Sequence, residues 1–407
     1  MLVRRTEQHI INRQSKWYKM LEEKCHIAKN IYNHGNYLIR QEFTKNGKWL
    51  RYIEVEKLVK NNTDYPDYWE WNLANSGQQV LRRLDKNWKS FFAIIKDWKK
   101  NPHKYTGMPK LPKYLKKDGL TEFALTTQQV RLKNDNLVHF PKSMKGFTIQ
   151  PQFIYDDGLV QFNQCRVVPR NDRIIVELIY TINIPDFVKE NGFVGSIDLG
   201  LDNFVTFVDN LGNKPIIING KGLKSCNQYY NKLIAQTKSE LDKNGNYGYS
   251  HLLYSITNKR NDKVKHFIDK ASKYIVEKCL ALGITAIVVG KNDGQKQNSR
   301  LKNFVQIPYN LFIQKLAYKC QEVGIEMILT EESYTSGTSF LDNELPIKED
   351  YNISRRVKRG LFKSNGGKLI NADVNAAYQI MKKVFCDAIK PADIGLVMNP
   401  FRVNLIF

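Results

Sequence analysis

The chain has 407 residues, with 63 Lys and Arg against 40 Asp and Glu, a formal net charge of +23. So large an excess of positive charge indicates a polyanionic partner such as a nucleic acid. Hydrophobic residues make up 42% of the chain and aromatic residues 12%, which is enough for two or three cores. A short, tail-like basic protein is thereby excluded.

Secreted proteins and membrane-spanning proteins are also disfavoured. The charged start of the chain does not resemble a signal peptide, and no apolar stretch approaches the length of a membrane span. We therefore expect an intracellular protein with no membrane partner. The six cysteines are scattered without any Cys-x-x-Cys pair, so we expect neither disulfides nor a zinc site. Any bound metal would be a hard ion held by carboxylates.

The first hundred residues are predicted to be largely helical. Apolar spacing indicates one helix over residues 16–43 and a second over 76–100, joined by an aromatic-rich loop. The apolar stripe of the second helix, which includes Trp88, is expected to be core. Basic residues on its other faces and in the loop 107–117 are expected to form a groove for phosphates. The members of this basic set that we assign to nucleic-acid binding are Arg82, Arg83, Lys86, Lys89, Lys110, Lys113, Lys116 and Lys117.

Short strands replace helices from residue 120 to 187. Alternating apolar residues predict six strands there, which together indicate a small β-barrel. The predicted strands span residues 123–126, 130–132, 137–140, 148–152, 160–168 and 173–182.

The rest of the chain follows a mixed pattern. Three strands at 193–199, 204–208 and 214–219 precede a helical stretch over about 229–282, interrupted near 244–248. Then come a strand at 284–289, a helix at 309–323, a strand at 325–330 and a last helix that begins near Asp373. Antiparallel strands followed by alternating helices and strands are typical of an α/β ribonuclease-H-like fold.

Two aspartates stand at the chemically important places of this pattern. Asp198 ends the first of the three strands, in the segment Gly195-Ser-Ile-Asp-Leu-Gly-Leu201, and a buried carboxylate there requires a partner such as a divalent cation. Asp373 by itself would be better interpreted as a helix N-cap. The order of the intervening elements favours chemistry, because carboxylates from the first strand, a later strand and the last helix gather around metal ions in this fold.

Several motifs together make the chain resemble TnpB, the family of transposon-encoded RNA-guided nucleases related to type V CRISPR effectors. The resemblance covers nearly the whole chain. It depends on the segments 28–41, 80–92, 107–114, 195–201, 289–292, 330–336 and 371–376.

The resemblance implies three domains. A wedge-like β-barrel would comprise residues 1–20 and 109–190 and carry a helical recognition lobe inserted at 21–108. A RuvC-type nuclease domain would span 191–390, followed by a C-terminal tail at 391–407. The implied fold class is therefore an α/β nuclease domain with an N-terminal β-barrel.

The resemblance also implies an activity. An enzyme of this family would use two Mg²⁺ ions about 4 Å apart to hydrolyse DNA that matches a bound guide RNA. The implied partners are a structured RNA from the same locus and double-stranded DNA with a short flanking motif. We expect a monomer in complex with RNA, in the prokaryotic cytoplasm and near the nucleoid.

The chain departs from the commoner family pattern in two places. Gly290 or Lys291 stands where the nuclease glutamate is expected at the end of the fourth strand, and the four-cysteine ribbon before the last helix is absent, so no zinc is expected. We predict that Glu331 or Glu332, at the end of the neighbouring strand, supplies the third carboxylate beside Asp198 and Asp373. Glu332 is slightly preferred.

Further nucleic-acid contacts are expected on both halves of the chain. Gln78 and Gln79 carry amides that can read adenine edges next to the target, and a basic loop precedes the last helix. The members of that loop set are Arg355, Arg356, Lys358 and Arg359. Two alternatives stay open: a nuclease-inactive RNA-guided repressor, and a transposase that transfers DNA strands with the same carboxylates.

Overall fold

The structure of the protein is a computed structural model. This structure describes residues 1–133, 136–152, 160–188, 191–245, 250–291, 306–387 and 399–405. The chain divides into two compact units, Leu2–Asn183 and Ile184–Phe407, with Met1 grouped with the second. Within the described ranges no helix is long and apolar enough to cross a bilayer.

Helices build one part of the N-terminal unit. The two long predicted helices are confirmed, and Trp88 of the second is completely buried, with its indole N–H donating to Asn36 at 3.0 Å. Its apolar stripe is therefore core, as the helical spacing predicts. The helices are α1 (Tyr18–Asn46), α2 (Tyr52–Lys60), α3 (Asp67–Glu70) and α4 (Ala74–Lys100).

The segment between the two long helices is not the loop that was predicted. It contains α2 and the single turn α3, and it buries Tyr68 and Trp71. In α2 only Val55 and Val59 are buried, a spacing of one turn. So short an apolar pattern is a weak signal, because such a helix depends on tertiary packing.

Strands form two sheets in this unit. A four-stranded antiparallel sheet has the order β1-β7-β6-β2, and a three-stranded sheet has the order β3-β4-β5. The two edge strands β1 and β2 do not pair with each other, so neither sheet closes within the described residues and the predicted barrel is not confirmed. The strands are β1 (Leu2–Asn12), β2 (Phe123–Thr126), β3 (Arg131–Leu132), β4 (Val138–His139), β5 (Thr148–Ile149), β6 (Val160–Arg170) and β7 (Arg173–Asn183).

Strand β1 has no clear signal in the sequence. Its charged segment pairs with β7 along its whole length, from Leu2 opposite Asn183 to Asn12 opposite Arg173. The side chains alternate between exposed and half-buried, which is typical of an edge strand with one face against the protein. The division of the first 190 residues into a wedge and a recognition lobe stays a prediction.

The second unit is centred on a six-stranded mixed sheet in the order β12-β11-β8-β9-β10-β15. β8 lies in the middle, antiparallel to β9 and parallel to β11, which is in turn parallel to β12. The predicted order of strands is confirmed. The strands are β8 (Val194–Asp198), β9 (Asn203–Asp209), β10 (Ile216–Asn219), β11 (Ala286–Lys291), β12 (Glu326–Glu331) and β15 (Phe401–Val403), with a separate hairpin of β13 (Leu361–Lys363) and β14 (Leu369–Asn371).

Helices cover both faces of this sheet. One core contains Ile197 and Ile287 of the sheet with Phe267 and Phe312 of two helices, and the other contains Val208 with Tyr378 of the last helix. Sheet residues are buried on both sides, so β8 is buried from Val194 to Ile197 and β11 from Ala286 to Gly290. The helices are α5 (Lys221–Lys243), α6 (His251–Ala281), α7 (Tyr309–Glu322) and α8 (Ala372–Val384).

The segment predicted as a C-terminal tail contributes to the sheet. Residues 401–403 form β15, which lies parallel to β10 at its edge. Three residues are too few to produce a recognisable alternation, so the sequence pattern does not reveal this strand.

The buried Trp88 provides a test of the N-terminal core. We expect Trp88→Ala to lower the free energy of unfolding of that unit by about 3–5 kcal/mol, because a large buried side chain is lost. Lys86→Ala, an exposed change on the same helix, should stay within about 0.5 kcal/mol. All six tryptophans lie in the N-terminal unit, so denaturant unfolding followed by tryptophan fluorescence reports on it alone. Equal stability of the two variants would contradict a core role.

Candidate active site

Asp198 ends the central strand β8 and is followed by a tight turn. A Cβ on Gly200 would lie 2.5 Å from the carbonyl oxygen of Asn203, so only glycine fits this turn without movement. The Tyr309 hydroxyl donates to the Gly200 carbonyl at 2.9 Å and holds the turn from α7. Burial, together with the nearby negative charges of Asp373 and Glu332, raises the pKa of Asp198 well above its usual value.

Asp373 lies in the first turn of α8, but it does not cap that helix. The N-cap is Asn371, whose Oδ1 accepts from the backbone N–H groups of Asp373 and Val374 at 3.0 and 3.2 Å. The carboxylate of Asp373 is therefore available for other contacts. Its Oδ2 accepts a hydrogen bond of 2.6 Å from the amide of Asn203 in β9.

Glu331 and Glu332 have opposite environments, because neighbouring residues at a strand end face opposite sides. Glu331 is exposed and pairs with Lys383; hydrogen bonds from Lys383 and Ser333 lower its pKa to about 2. Glu332 lines the same cavity as Asp198 and Asp373. Burial, followed by the negative charge of Glu331, raises the pKa of Glu332 to about 7.

Gly290 explains how Glu332 fits into the cavity. The register places Gly290 of β11 opposite Thr330 of β12, so the two strand ends lie side by side, as predicted. A Cβ on Gly290 would lie 2.8 Å from Oε1 of Glu332 and 2.6 Å from Cδ1 of Ile380. The Glu332 side chain thus occupies the space that a side chain at position 290 would take.

The carboxylates line a cavity of about 1270 Å³ in the second unit. Asp202 is a fourth carboxylate on its wall and was not predicted. Lys224 and Arg359 each lie 2.6 Å from one of its oxygens, and the hydrogen bond from Lys224 lowers its pKa. The basic residues that line the cavity are Lys221, Lys224, Arg356, Arg359 and Arg402.

The basic loop before α8 divides into two groups. Arg356 lies 3.6 Å from the Asp373 carboxylate and Arg359 contacts Asp202, so both reach the cavity, whereas Lys358 is exposed. Arg355 points elsewhere: its guanidinium binds both carboxylate oxygens of Glu344 at 2.6 and 2.7 Å, and the Gly337 carbonyl at 2.7 Å. Its side chain is engaged within the loop, so Arg356 and Arg359 are the better candidates for a DNA contact, and the role of Arg355 stays a prediction.

Several residues of the N-terminal unit that are predicted to contact nucleic acid already bind other groups of the protein. Gln78 donates to Glu56 at 3.0 Å, Arg83 binds the carbonyl and the carboxylate of Glu122, and Arg82 stacks on Tyr52. Lys89 pairs with Asp85 one turn away. Gln79 is half-buried. All six lysines of this set are exposed: Lys86, Lys89, Lys110, Lys113, Lys116 and Lys117.

The donor set in the cavity suits a hard divalent cation. Asp198, Glu332 and Asp373 offer only carboxylate oxygens, the ligands that Mg²⁺ prefers. Across the described ranges no three His, Cys, Asp or Glu side chains stand at metal-binding geometry. Burial and the negative charges of Asp373 and Glu332 raise the pKa of Asp198, and a divalent cation held there would favour its ionised form.

Two family models match the chain. Residues 178–296, which include Asp198 and Gly290, match OrfB_IS605, described as a probable transposase. Residues 309–380, which include Glu332 and Asp373, match the Cas12f1-like TNB domain. The chain is therefore similar to these two families over the parts of it that carry Asp198, Gly290, Glu332 and Asp373. No curated protein matches it at a significant level.

Solved structures resemble the chain at low identity. A cryo-EM structure of a Cas12f1–sgRNA–target DNA complex matches with a TM-score of 0.52 and 16% identity, over 89% of this chain and 82% of that one. This match shows a shared fold. The mini-RNA-guided endonuclease CRISPR-Cas_phi3 matches over 98% of this chain and 93% of that one, at 9% identity and a TM-score of 0.46.

The repulsion at Asp198 predicts a gain in stability when its charge is removed. We expect Asp198→Asn to raise the melting temperature of the second unit in EDTA at pH 7.5 by roughly 2–4 °C, the shift produced by about 1 kcal/mol. Because the folded pKa is raised, the cost of ionising Asp198 is absent below the unfolded pKa and grows as pH rises, so the gain should disappear in acid. Differential scanning calorimetry of the two proteins at pH 7.5 and in acid measures this change in melting temperature.

Tryptophan fluorescence, which reports on the N-terminal unit, is the internal control and should not shift. An unchanged or lower melting temperature of the second unit would show that Asp198 is stabilised by the contacts it already has.

Proposed function

We propose that this chain is an RNA-guided DNA endonuclease that hydrolyses DNA matched by its guide RNA. The observation that carries the proposal is the meeting of Asp198, Glu332 and Asp373 in one cavity with a basic wall. These are the residue types with which a ribonuclease-H-like nuclease would hold metal ions for phosphodiester cleavage. The TnpB-like family supports the same activity.

Each part of the site has a role in this proposal. Asp198, Glu332 and Asp373 would hold two Mg²⁺ ions, which supply an activated water and stabilise the leaving 3′ oxygen. Arg356 and Lys221 would attract the phosphate of the strand to be cut. The Tyr309 hydroxyl keeps the turn after Asp198 in place, and Asn203 orients Asp373.

The proposed nucleic-acid partners follow from charge and from the relatives. The Cas12f1 structure is a complex with guide RNA and target DNA, and this chain carries a net charge of +23. The exposed lysines of α4 and the loop 107–117 are the candidates for RNA contact. Their contribution would be electrostatic, so RNA affinity should fall as salt rises.

The remaining details of the proposal concern the target and the cell. Gln79 is the better candidate for reading the flanking motif, since Gln78 is engaged by Glu56. The β-strands of the first unit would serve as the wedge domain of the family. We propose a monomer bound to RNA from its own locus, acting on DNA in the prokaryotic cytoplasm.

The two neighbouring glutamates provide a matched pair of variants. Glu332→Gln should reduce Mg²⁺-dependent cleavage more than roughly 100-fold, beyond the loss caused by removing a mere supporting residue. Glu331→Gln should cut within about threefold of the parent, because its carboxylate pairs with Lys383. Gly290→Ala should also impair cleavage, since the added carbon displaces Glu332. The measurement is single-turnover cleavage; the reverse ranking of the two glutamates would exchange their roles.

A second experiment separates binding from chemistry. Asp198→Ala and Asp373→Ala should each abolish cleavage of guide-matched DNA while DNA binding in Ca²⁺ stays within about threefold. The double variant should be little worse than either single one, because residues of one site act as a unit. The parent protein, purified with the transcript of its own locus, is the reference.

Two results would favour the alternatives. Intact binding without cutting by the parent would favour an RNA-guided repressor. Strand joining without any bound RNA would favour a transposase.

A further inference from the structure

The last strand of the chain contributes to the wall of the cavity. The β15 backbone is held by its ladder to β10 and by a 2.7 Å hydrogen bond from Phe401 N–H to the Pro215 carbonyl. Val403 and Leu405 pack against the hydrophobic core, and the alternate residues Arg402 and Asn404 line the cavity. Because successive side chains of a strand point to opposite faces, Arg402 lies on the cavity side.

Arg402 is linked to Asp373 through one side chain. Its Nη1 donates to Oδ1 of Asn203 at 3.2 Å, and Nδ2 of Asn203 donates to Oδ2 of Asp373 at 2.6 Å. The two ends of an asparagine amide are different: the nitrogen only donates and the oxygen only accepts. A carboxylate needs the nitrogen end, so the oxygen end of Asn203 points away from Asp373 and accepts from Arg402.

Arg402 supplies that donor and so determines which way the amide points. If Asn203 turned over, its oxygen would face the Asp373 carboxylate, and its nitrogen would face the guanidinium. Both contacts would be repulsive, since two acceptors and two donors would meet. The cation therefore favours the one orientation in which Asn203 holds Asp373.

We propose that Arg402 is a positioning residue for catalysis, acting on Asp373 through Asn203. The inference rests on the proposed function, because it assigns Asp373 to the metal site. It makes the end of the chain part of the active site. Groups that orient metal ligands typically change metal affinity or activity by 10–100-fold when they are removed.

The first test is metal binding by the full chain with its RNA. A Mn²⁺ titration followed by electron paramagnetic resonance should show roughly 10-fold weaker binding for Arg402→Ala. Arg402→Lys, which keeps a cationic donor, should recover most of the affinity. Phe401→Ala is the control on the same strand, since this exposed side chain is outside the cavity lining. Equal Mn²⁺ affinity of the parent and Arg402→Ala would overturn the proposal.

The second test asks whether Arg402 acts through Asn203. Arg402→Ala should slow single-turnover cleavage roughly 10-fold with DNA binding in Ca²⁺ nearly unchanged. Combined with Asn203→Ala, it should cause no further loss, because both changes remove the same contact. Additive losses would show that Arg402 acts independently of Asn203 and would overturn the proposal. Failure of the parent to cut would reject the proposed function instead, and the Mn²⁺ result would still decide the role of Arg402.

Discussion

The gathering of three half-buried carboxylates, two from strand ends of one sheet and one from the last helix, is the constraint on which the rest of this site depends. Asp198 is placed in the centre of the sheet, where burial and the charges of Asp373 and Glu332 make its ionised form costly. A protein that keeps such a group ionised must provide a compensating charge. The neighbouring basic residues supply part of that charge, and under the proposed function a divalent cation would supply the rest.

Gly290 and Glu332 lie at the ends of neighbouring strands, and the small residue on one makes room for the carboxylate from the other. The strand that is expected to carry a glutamate has Gly290 next to its last residue, and the Glu332 carboxylate fills the space there from the end of the next strand. This arrangement requires a residue without a side chain at position 290 and a glutamate at 332, the position whose side chain faces the cavity. Glu331 is adjacent in sequence, but its side chain faces the opposite side of the strand and forms a surface ion pair with Lys383.

Much of this could be predicted from the sequence. The strand order of the second unit, the long helices, and Asp198 and Asp373 follow from periodicity and from carboxylates at element ends. The rest depends on tertiary contacts. Arg355 could not be distinguished from Arg356, because only the folded loop brings Glu344 to Arg355. Asn371, not Asp373, caps the last helix, and β15 is too short to give a pattern.

In the proposed site, Glu332 completes the metal-binding set with Asp198 and Asp373. Crystals of the RNA-bound protein soaked in Mn²⁺ test it most directly, since anomalous scattering locates the ions without any assumption about activity. We predict Mn²⁺ in contact with the carboxylates of Asp198, Glu332 and Asp373, with Glu331 still paired to Lys383. Mn²⁺ held by Glu331, or no Mn²⁺ in contact with Glu332, would contradict the assignment of Glu332 as a metal ligand.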